Sequence, residues 1–326
     1  MSCSDWLLKS IWKFCRKTGK ITAMLLLAFA GVWCVGASYF VWHFPAALSA
    51  VFGCGLLVIW LAAWRLCRAA WALTFIEFCI LGSFLLLTPE QRFKNEKWNV
   101  ECRQIPQITR LADGKIKIAD VRDFRYRTLE DFEVNYKTMI VDPDKLIGMD
   151  VVFSYWGYMD LVSHMLLSFH FSDNQKLLLS FEPRVPKGMK GGCFFPGIYR
   201  QYGQMMLFST PEDVLYLRVK PRNETVYCYR SAASAEIVKK IFMETVGNAE
   251  KLMNNHAFYN SLTNNCTTGL RKALQMAPEL QEWDWRWLFN GLYDRYLFEK
   301  GFLKCRENES FASLKARSLC FASMWF

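Results

Sequence analysis

The chain has 326 residues, of which 52% are hydrophobic and 16% aromatic, and its 40 basic and 30 acidic side chains give a net charge of +10. Only 21% of the residues are charged, so the chain can bury a core, and the composition excludes a disordered protein. The basic residues form no Lys/Arg-dense stripe interleaved with aromatic residues, so no nucleic-acid partner is predicted. The 12 cysteines contain no CxxC pair, and the sequence predicts neither a metal site nor a cofactor.

Three apolar runs occupy the N-terminal part of the chain, at residues 21–42, 46–64 and 69–88. Each approaches or reaches the about 20 residues that a helix needs to cross the hydrocarbon core of a bilayer. Because two further runs follow the first so closely, they predict three transmembrane helices within 21–88, and not a cleaved signal peptide.

The distribution of basic residues predicts how these helices would be oriented. The basic residues before the first run and in the second connection are Lys9, Lys13, Arg16, Lys17, Lys20, Arg65 and Arg68, whereas those after the last run are Arg92, Lys94 and Lys97. This bias predicts a cytoplasmic N-terminus at 1–20. Three crossings would then place residues 89–326 outside the cytoplasm, as the soluble domain of a multi-pass membrane protein.

The soluble part is predicted to be an α+β domain. Short apolar or alternating runs bounded by turn residues are typical of strands, and they occur at 115–118, 151–156, 162–171, 177–184, 214–219 and 225–229. Helical spacing follows them, in one helix capped by Ser234, in a second that begins at Asn265 and Cys266, and in the segment 283–303. This order predicts an antiparallel sheet followed by packed helices.

The predicted hairpin of 162–171 and 177–184 contains the first residues suited to chemistry. If both strands turn their apolar faces to one core, His164 shares the opposite face with Ser180, Glu182 and Arg184. This arrangement requires a turn of three or five residues instead of four. A lone histidine on a strand is more often structural than catalytic, but a carboxylate able to orient the ring leaves both interpretations open.

Cys266 lies in the second candidate stretch, residues 259–268, where a polar loop runs into a helix. Unpaired N–H groups at a helix N-terminus stabilise a thiolate, the reactive form of cysteine. The same groups, with Asn264 or Asn265 beside them, could hold a developing oxyanion. The alternative is a disulfide, because the soluble part contains six cysteines, at positions 102, 193, 228, 266, 305 and 320.

Together these stretches resemble the bacterial family typified by the N-terminal domain of the Lnb-type lipoprotein N-acyltransferase. The matching segments are Val121-Arg122-Asp123-Phe124-Arg125-Tyr126, Ser163-His164-Met165-Leu166-Leu167-Ser168-Phe169, Ser180-Phe181-Glu182-Pro183-Arg184, Tyr199-Arg200-Gln201-Tyr202, Leu215-Tyr216-Leu217-Arg218, Phe258-Tyr259-Asn260-Ser261-Leu262-Thr263-Asn264-Asn265-Cys266-Thr267-Thr268 and Asn290-Gly291-Leu292-Tyr293-Asp294-Arg295-Tyr296. The resemblance covers residues 100–320, and its Asn-Asn-Cys-Thr-Thr box is the most specific part. One position departs from it: Gly203-Gln204 stands where the family pattern has an acidic residue.

The resemblance implies a circularly permuted papain-like thiol enzyme, in which the histidine strand precedes the cysteine helix. It implies that Cys266 takes a fatty acyl chain from a membrane phospholipid as a thioester and passes it to an amine, the N-terminus of a lipoprotein. His164 would be the base, and either Ser180 or Glu182 would orient its ring. The residues expected to bind the substrate or the oxyanion are Asn264, Asn265, Tyr259 and Arg184.

The location implied is the bacterial inner membrane, with the catalytic domain in the periplasm. Two other functions stay open at this stage. The domain could be a non-enzymatic module that binds lipid or lipoprotein, or a thiol peptidase or amidase that acts on the cell envelope. Water could also replace the amine as acceptor, which would make the protein a hydrolase.

Overall fold

The computed structural model describes residues 25, 29, 31–41, 43, 45–66 and 96–321, apart from 157–159, 190, 192–193, 256 and 288. The chain divides into two compact units, Met1–Arg92 and Phe93–Phe326. The first unit contains a helical segment at 31–40 and helix α1, Ala46–Leu66.

The prediction of three transmembrane helices within 21–88 is wrong. Among the residues that the structure describes, no helix combines the length and the apolar character that crossing a membrane requires. The physical reason is that an uncharged run specifies only composition, whereas a span requires one continuous apolar helix of about 20 residues. The third run, 69–88, and the basic segment 1–20 lie outside the described residues, and the cytoplasmic placement of 1–20 stays a prediction.

The second unit is an α+β domain, as predicted. Its strands are β1 Gln107–Arg110, β2 Ile116–Arg122, β3 Arg125–Tyr126, β4 Phe132–Glu133, β5 Tyr136–Val141, β6 Leu146–Tyr155, β7 Ser163–Phe171, β8 Lys176–Arg184, β9 Gly203–Ser209 and β10 Thr225–Arg230. Its α-helices are α2 Phe194–Ile198, α3 Pro211–Val219, α4 Ala235–Asn254, α5 Cys266–Leu274, α6 Tyr293–Glu299 and α7 Phe311–Arg317. Short 3-10 helices occur at Val100–Cys102, Pro143–Lys145, Pro278–Leu280, Trp285–Trp287 and Asn290–Leu292.

Eight of these strands form one mixed sheet in the order β1-β2-β9-β8-β7-β6-β10, with β5 paired to β2. The remaining two, β3 and β4, pair with each other. Neighbours in the large sheet are antiparallel except β2 and β9, which are parallel. The predicted antiparallel sheet is therefore corrected to a mixed one. Alternation within a strand reveals its buried face but not the direction of the strand beside it, which depends on distant parts of the chain.

In the hairpin of β7 and β8, the side chains of His164, Ser180 and Glu182 lie on the same face, as predicted. Leu166 is opposite Ser180, and the backbone N–H of Phe171 donates to the carbonyl oxygen of Gln175 at 3.0 Å. The turn between them therefore has three residues, one of the two predicted lengths. Its last residue, Asn174, has a φ of 64°, a left-handed conformation that asparagine tolerates better than most residues.

The largest core lies between one face of the sheet and helices α4 and α5. Phe169 on β7 packs edge to face against Phe242 on α4, with ring centroids 5.0 Å apart, and Leu270 of α5 is fully buried in the same cluster. Burying one such side chain contributes about 1.5–3 kcal/mol. The side chain of Ser234 accepts a hydrogen bond from the N–H of Ile237, so the predicted cap of α4 is confirmed.

Residues 214–219 form part of helix α3 and not the predicted strand. The helix begins with Thr210 as N-cap and Pro211 in the first turn, and Glu212 and Asp213 follow them. These start signals specify a helix and outweigh the β-type alternation of the residues behind them. The segment 283–303, predicted as helical, contains two 3-10 turns and the seven-residue α6.

Candidate active site

The candidate site lies where β7 and β8 separate. The register between the two strands ends at Leu166 opposite Ser180; residues 163–165 pair with β6, and residues 181–184 pair with β9. Cys266, the first residue of α5, lies against this end of β7, with its Sγ 3.8 Å from the carbonyl oxygen of Ser163. The helix that carries the cysteine thus begins beside the strand that carries His164.

A capping box sets the start of α5 at Cys266. Oδ1 of Asn265 accepts hydrogen bonds from the N–H groups of Thr267 at 3.0 Å and Thr268 at 3.1 Å. The hydroxyl of Thr268 accepts the N–H of Asn265 at 2.8 Å in return. This reciprocal pair is worth about 1 kcal/mol, and it holds the cysteine at the positive end of the helix.

The ring of His164 is oriented by two partners on β8. Its Nε2 is 2.6 Å from Oγ of Ser180 and 2.9 Å from Oε1 of Glu182, and the serine hydroxyl donates to that carboxylate at 2.7 Å. Because the hydroxyl proton points at Glu182, both neighbours accept from the ring, and Nε2 carries the hydrogen. Nδ1 is then the nitrogen left for the thiol of Cys266, with which the His164 side chain interacts electrostatically.

The electrostatics of the site favour a thiolate paired with an imidazolium. Burial opposes the charge on His164, but the Glu182 carboxylate and the sulfur of Cys266 outweigh it and raise the histidine pKa to about 9. Burial also opposes a thiolate, yet His164 and the backbone of Met165 lower the pKa of Cys266 below its ordinary value. These opposite shifts favour the charged form of both groups.

Arg218, a buried arginine, lies beside the carboxylate of Glu182. Nη2 of Arg218 is 3.5 Å from Oε1 of Glu182, and its Nη1 is 3.0 Å from Oε2 of Glu224. Burial alone would raise the pKa of Glu182, but His164 and Arg218 hold it well below its usual range. Arg218 lies on α3, so the strand prediction for that segment hid its role; only the family resemblance included it.

The two asparagines that precede Cys266 direct their amide groups into the loop. Nδ2 of Asn265 donates to the carbonyl oxygen of Ser261 at 3.1 Å. Nδ2 of Asn264 donates to the side chain of Gln204 and, at 3.5 Å, to the carbonyl oxygen of Phe258. Both amides therefore hold the loop together, and the role predicted for them in oxyanion binding stays a prediction. Gln204 occupies the position that departs from the family pattern.

Of the other two predicted binding residues, the structure brings one to the cysteine. The side chain of Tyr259 interacts electrostatically with that of Cys266, and burial raises the pKa of its phenol well above the ordinary value. Arg184 instead stacks on Trp98, with its guanidinium carbon 4.4 Å from the ring centroid, and donates to two backbone carbonyl groups at 3.0 and 2.7 Å. Its contacts make it a support for the segment that precedes β1.

Asn290 is a residue at the site that the sequence patterns did not single out. Its Nδ2 donates to Sγ of Cys266 at 3.4 Å. It was part of the family resemblance, but it lies 24 positions after the cysteine in an aromatic-rich segment without helical or strand periodicity. No local pattern could have assigned it to the site.

The sulfur of Cys266 is a free thiol, whereas Cys228 and Cys320 form a disulfide. The alternative that Cys266 is tied into a disulfide therefore does not hold in this structure. Cys193 lies outside the described residues. In the part of the chain that the structure describes, no three histidine, cysteine or acidic side chains are grouped so that they could hold a metal ion.

The fold and the site define an α+β domain with a buried cluster of cysteine, histidine and carboxylate. The family model described as the Lnb N-terminal periplasmic domain matches residues 132–291. This match confirms the resemblance over residues 132–291 and indicates an Lnb-like protein of the cell envelope. The match includes His164, Ser180, Glu182 and Cys266 and ends one residue after Asn290. No curated protein and no solved structure matches the chain.

Proposed function

We propose that this domain is a thiol acyltransferase. Cys266 takes a fatty acyl chain from a phospholipid, holds it as a thioester and passes it to an amine, the N-terminus of a lipoprotein. The observation that carries the proposal is the buried pair of Cys266 and His164, whose side chains interact electrostatically, with Ser180 and Glu182 behind the ring. The chain order, β7 with the histidine before α5 with the cysteine, is that of a permuted papain-like enzyme.

The first half-reaction forms the thioester. The thiolate of Cys266 attacks the ester carbonyl, a sulfur–carbon bond forms, and the C=O electron pair moves to the oxygen. When that oxyanion collapses, the carbon–oxygen bond to the glycerol breaks, and the leaving alkoxide takes the proton from Nδ1 of the His164 imidazolium. The products are the acyl enzyme and a lysophospholipid.

The second half-reaction regenerates the cysteine. The acceptor amine attacks the thioester carbonyl, and the neutral Nδ1 of His164 takes a proton from the amine. Collapse of this intermediate breaks the sulfur–carbon bond and releases an amide and the thiolate. Glu182 remains a carboxylate throughout, because it orients the ring and stabilises its charge without taking the proton.

Exposed apolar side chains near the site support a lipid as acyl donor. They are Trp156, Leu161, Val162, Phe194, Phe195, Leu262 and Phe289. Hydrogen bonds connect their segments to the site. The N–H of Gly291 donates to the carbonyl oxygen of Leu161 at 3.1 Å, and the hydroxyl of Ser261 donates to the carbonyl oxygen of Phe194 at 2.8 Å. Apolar surface of this kind suits acyl chains better than a polar peptide substrate.

Two features support a site of action outside the cytoplasm. The matched family is described as a periplasmic domain. In addition, Cys228 and Cys320 are joined in a disulfide, a bond that persists mainly in oxidising compartments. Presented there, the site has access to membrane phospholipids and to the amino termini of lipoproteins.

The test is to look for an acyl adduct on Cys266. The full chain is incubated with phosphatidylethanolamine vesicles that carry isotope-labelled acyl chains, and its peptides are analysed by mass spectrometry. We expect a labelled acyl group on Cys266, none in Cys266→Ala, and a rate at least about 100-fold lower in His164→Ala. His170→Ala is the matched control, because His170 lies on the same strand but pairs with Asp150 at 2.9 Å.

The outcomes separate the proposal from its alternatives. Wild-type labelling in Cys266→Ala would refute a thioester at this residue. A peptide-derived adduct on Cys266 would instead identify an amidase or peptidase. Lipid binding that is equal in the wild type and Cys266→Ala, with no adduct in either, would identify a non-enzymatic lipid-binding module. Adding a lipopeptide with a free α-amine then distinguishes transfer from hydrolysis.

A further inference from the structure

The amide group that contacts the reactive sulfur comes from the C-terminal part of the domain. Asn290 begins a 3-10 helix, is 8% exposed, and directs Nδ2 at Sγ of Cys266. The asparagines that adjoin Cys266 in sequence direct their amides at Ser261 and Gln204 instead. The amide donor at the sulfur is therefore 24 residues from the cysteine.

The orientation of the Asn290 amide is determined by its neighbour Ser163. Oδ1 of Asn290 accepts the backbone N–H of Ser163 at 3.0 Å, and the hydroxyl of Ser163 donates to the backbone oxygen of Asn290 at 3.0 Å. A flipped amide would place its NH₂ against that N–H and its oxygen against the sulfur. The first contact would bring two donors together, and the second would bring the amide oxygen against a thiolate. Both contacts would be repulsive, so the NH₂ group has to face Cys266.

The backbone around Asn290 is held closely against the chain just before β7. A Cβ at Gly291 would lie 2.3 Å from the carbonyl oxygen of Asp160 and 2.7 Å from the nitrogen of Val162. The hydroxyl of Tyr155 donates to the carbonyl oxygen of Gly291 at 2.9 Å. This close packing fixes the donor relative to the histidine strand before any substrate binds, which is the condition for effective electrostatic stabilisation.

We propose that Asn290 is a catalytic residue that donates one N–H to the thiolate of Cys266 and the other to the carbonyl oxygen of the substrate during attack. The first role requires only the thiol, and the second rests on the proposed acyl transfer. As the sulfur electron pair forms the bond to carbon, the negative charge moves to the oxygen on that same carbon. Nδ2 carries two hydrogens, so it can bind the charge at both positions, and no additional reactant is needed.

The first test measures thiol reactivity, which does not depend on the substrate. Asn290→Leu removes the donor at similar size, and Asn290→Asp keeps an acceptor for Ser163 while removing the NH₂ group. Alkylation of Cys266 by iodoacetamide is followed by mass spectrometry from pH 5 to 10. We expect the apparent thiol pKa to rise by about one unit in Asn290→Leu, and alkylation at pH 7 to be about tenfold slower. Asn290→Asp should be slower still.

Controls keep this result specific. Asn308→Asp introduces the same charge at an exposed turn and should alkylate at the wild-type rate, and thermal unfolding shows whether each variant is folded. An unchanged thiol pKa in the folded variants would overturn the proposal. The wild type gives an independent readout: the NMR resonances of the Asn290 NH₂ should shift as Cys266 titrates, and this shift should vanish in Cys266→Ser. Its absence in the wild type would also overturn the proposal.

The acyl-adduct assay then separates this proposal from the proposed function. Loss of one oxyanion donor should slow adduct formation in Asn290→Leu by about 100-fold or more. Wild-type adduct formation in that variant overturns the role of Asn290 and leaves the acyltransferase standing. If the wild type forms no adduct but its thiol pKa depends on Asn290, the acyltransferase fails together with the oxyanion role, and the contact with the thiolate is supported.

Discussion

Glu182 is the residue on which the charge of the site depends. It is the acceptor for both Ser180 and the ring of His164, and Arg218 lies beside it. These partners keep it ionised in spite of its burial, and its negative charge is the main reason that the neighbouring imidazolium is stable. Glu182 therefore controls the reactivity of Cys266 indirectly, through the side chain of His164.

Neutralising this carboxylate should remove the thiolate–imidazolium pair. In Glu182→Gln we expect the pKa of His164 to fall, because its largest stabilising partner is gone, and thioester formation at pH 7 to slow by about 10- to 100-fold. Rates measured against pH should show the shift. Glu236→Gln, which changes an exposed carboxylate on α4 that pairs with Lys240, is the matched control. Equal pH profiles for the wild type and Glu182→Gln would contradict this account.

The raised pKa of His164 also predicts how the protein responds to pH. Its value of about 9 in the folded chain exceeds the about 6.5 of an unfolded histidine. The imidazolium therefore stabilises the fold fully below about pH 6.5, and this contribution is lost as the pH rises through 9. Acyl-adduct formation should decline only as the pH rises through about 9, because the leaving alkoxide then loses its proton donor.

Thermal unfolding and adduct formation measured from pH 6 to 10 check this prediction. The part of the stability profile that changes between about pH 6.5 and 9 should be absent from His164→Ala. A wild-type rate that keeps rising up to pH 10 would mean that the reaction needs no imidazolium.

At the level of secondary-structure elements, helix α5 is positioned by close packing against β8. Gly269, one turn after the cysteine, allows this approach, since a Cβ there would lie 2.4 Å from Cγ of the buried Phe181. The capping box at Asn265 sets where the helix begins, and the glycine sets how closely it approaches the sheet. Together these two features place the thiol at the end of β7.

Two glycine substitutions should have opposite effects on stability. Gly269→Ala forces a methyl group into the ring of Phe181, and overpacking costs about 1–3 kcal/mol, which at this short distance should exceed the about 1 kcal/mol that alanine adds through helix propensity. Gly247→Ala in α4 meets nothing within 4 Å and should stabilise by about 0.5–1 kcal/mol. Denaturant unfolding of both variants measures this, and the idea fails if Gly269→Ala is as stable as Gly247→Ala.

At the level of the whole domain, the C-terminal segment is joined to the sheet by a disulfide and by backbone hydrogen bonds. The bond links Cys228 on β10 to Cys320, 92 residues later. The N–H of Cys228 donates to the carbonyl oxygen of Ser318 at 2.7 Å, and that of Cys320 donates to the carbonyl oxygen of Val226 at 2.8 Å. The segment thereby extends the edge of the sheet beyond β10.

Removing this cross-link should destabilise the domain without changing the thiol site. For the double variant Cys228→Ala with Cys320→Ala, we expect a loss of about 2–4 kcal/mol. The melting temperature of the double variant should be lower than that of the wild type. Added reductant should lower the melting temperature of the wild type but not that of the double variant. Cys305→Ala, at an exposed free cysteine, is the control. If the double variant and the wild type have the same melting temperature in the absence of reductant, the cross-link does not constrain the domain.

The sequence by itself determined the features that depend on local periodicity. Alternation along β7 and β8 predicted that His164, Ser180 and Glu182 share a face, because side chains of a strand alternate with a period of two. The polar loop before Cys266 predicted the helix start, because capping involves only the residues at that start. The N-terminal apolar runs show the limit of such patterns, since their composition predicted spans that the described helices do not form.

Only the tertiary structure decided which distant groups meet at the sulfur. The contact of Cys266 with Asn290, the support of Glu182 by Arg218, and the parallel pairing of β2 with β9 all join segments that are far apart in the chain. Each depends on how elements pack over the sheet, and a local pattern carries no information about that packing. The same reason explains Asn264 and Asn265, which adjoin the cysteine in sequence while their amides bind elsewhere.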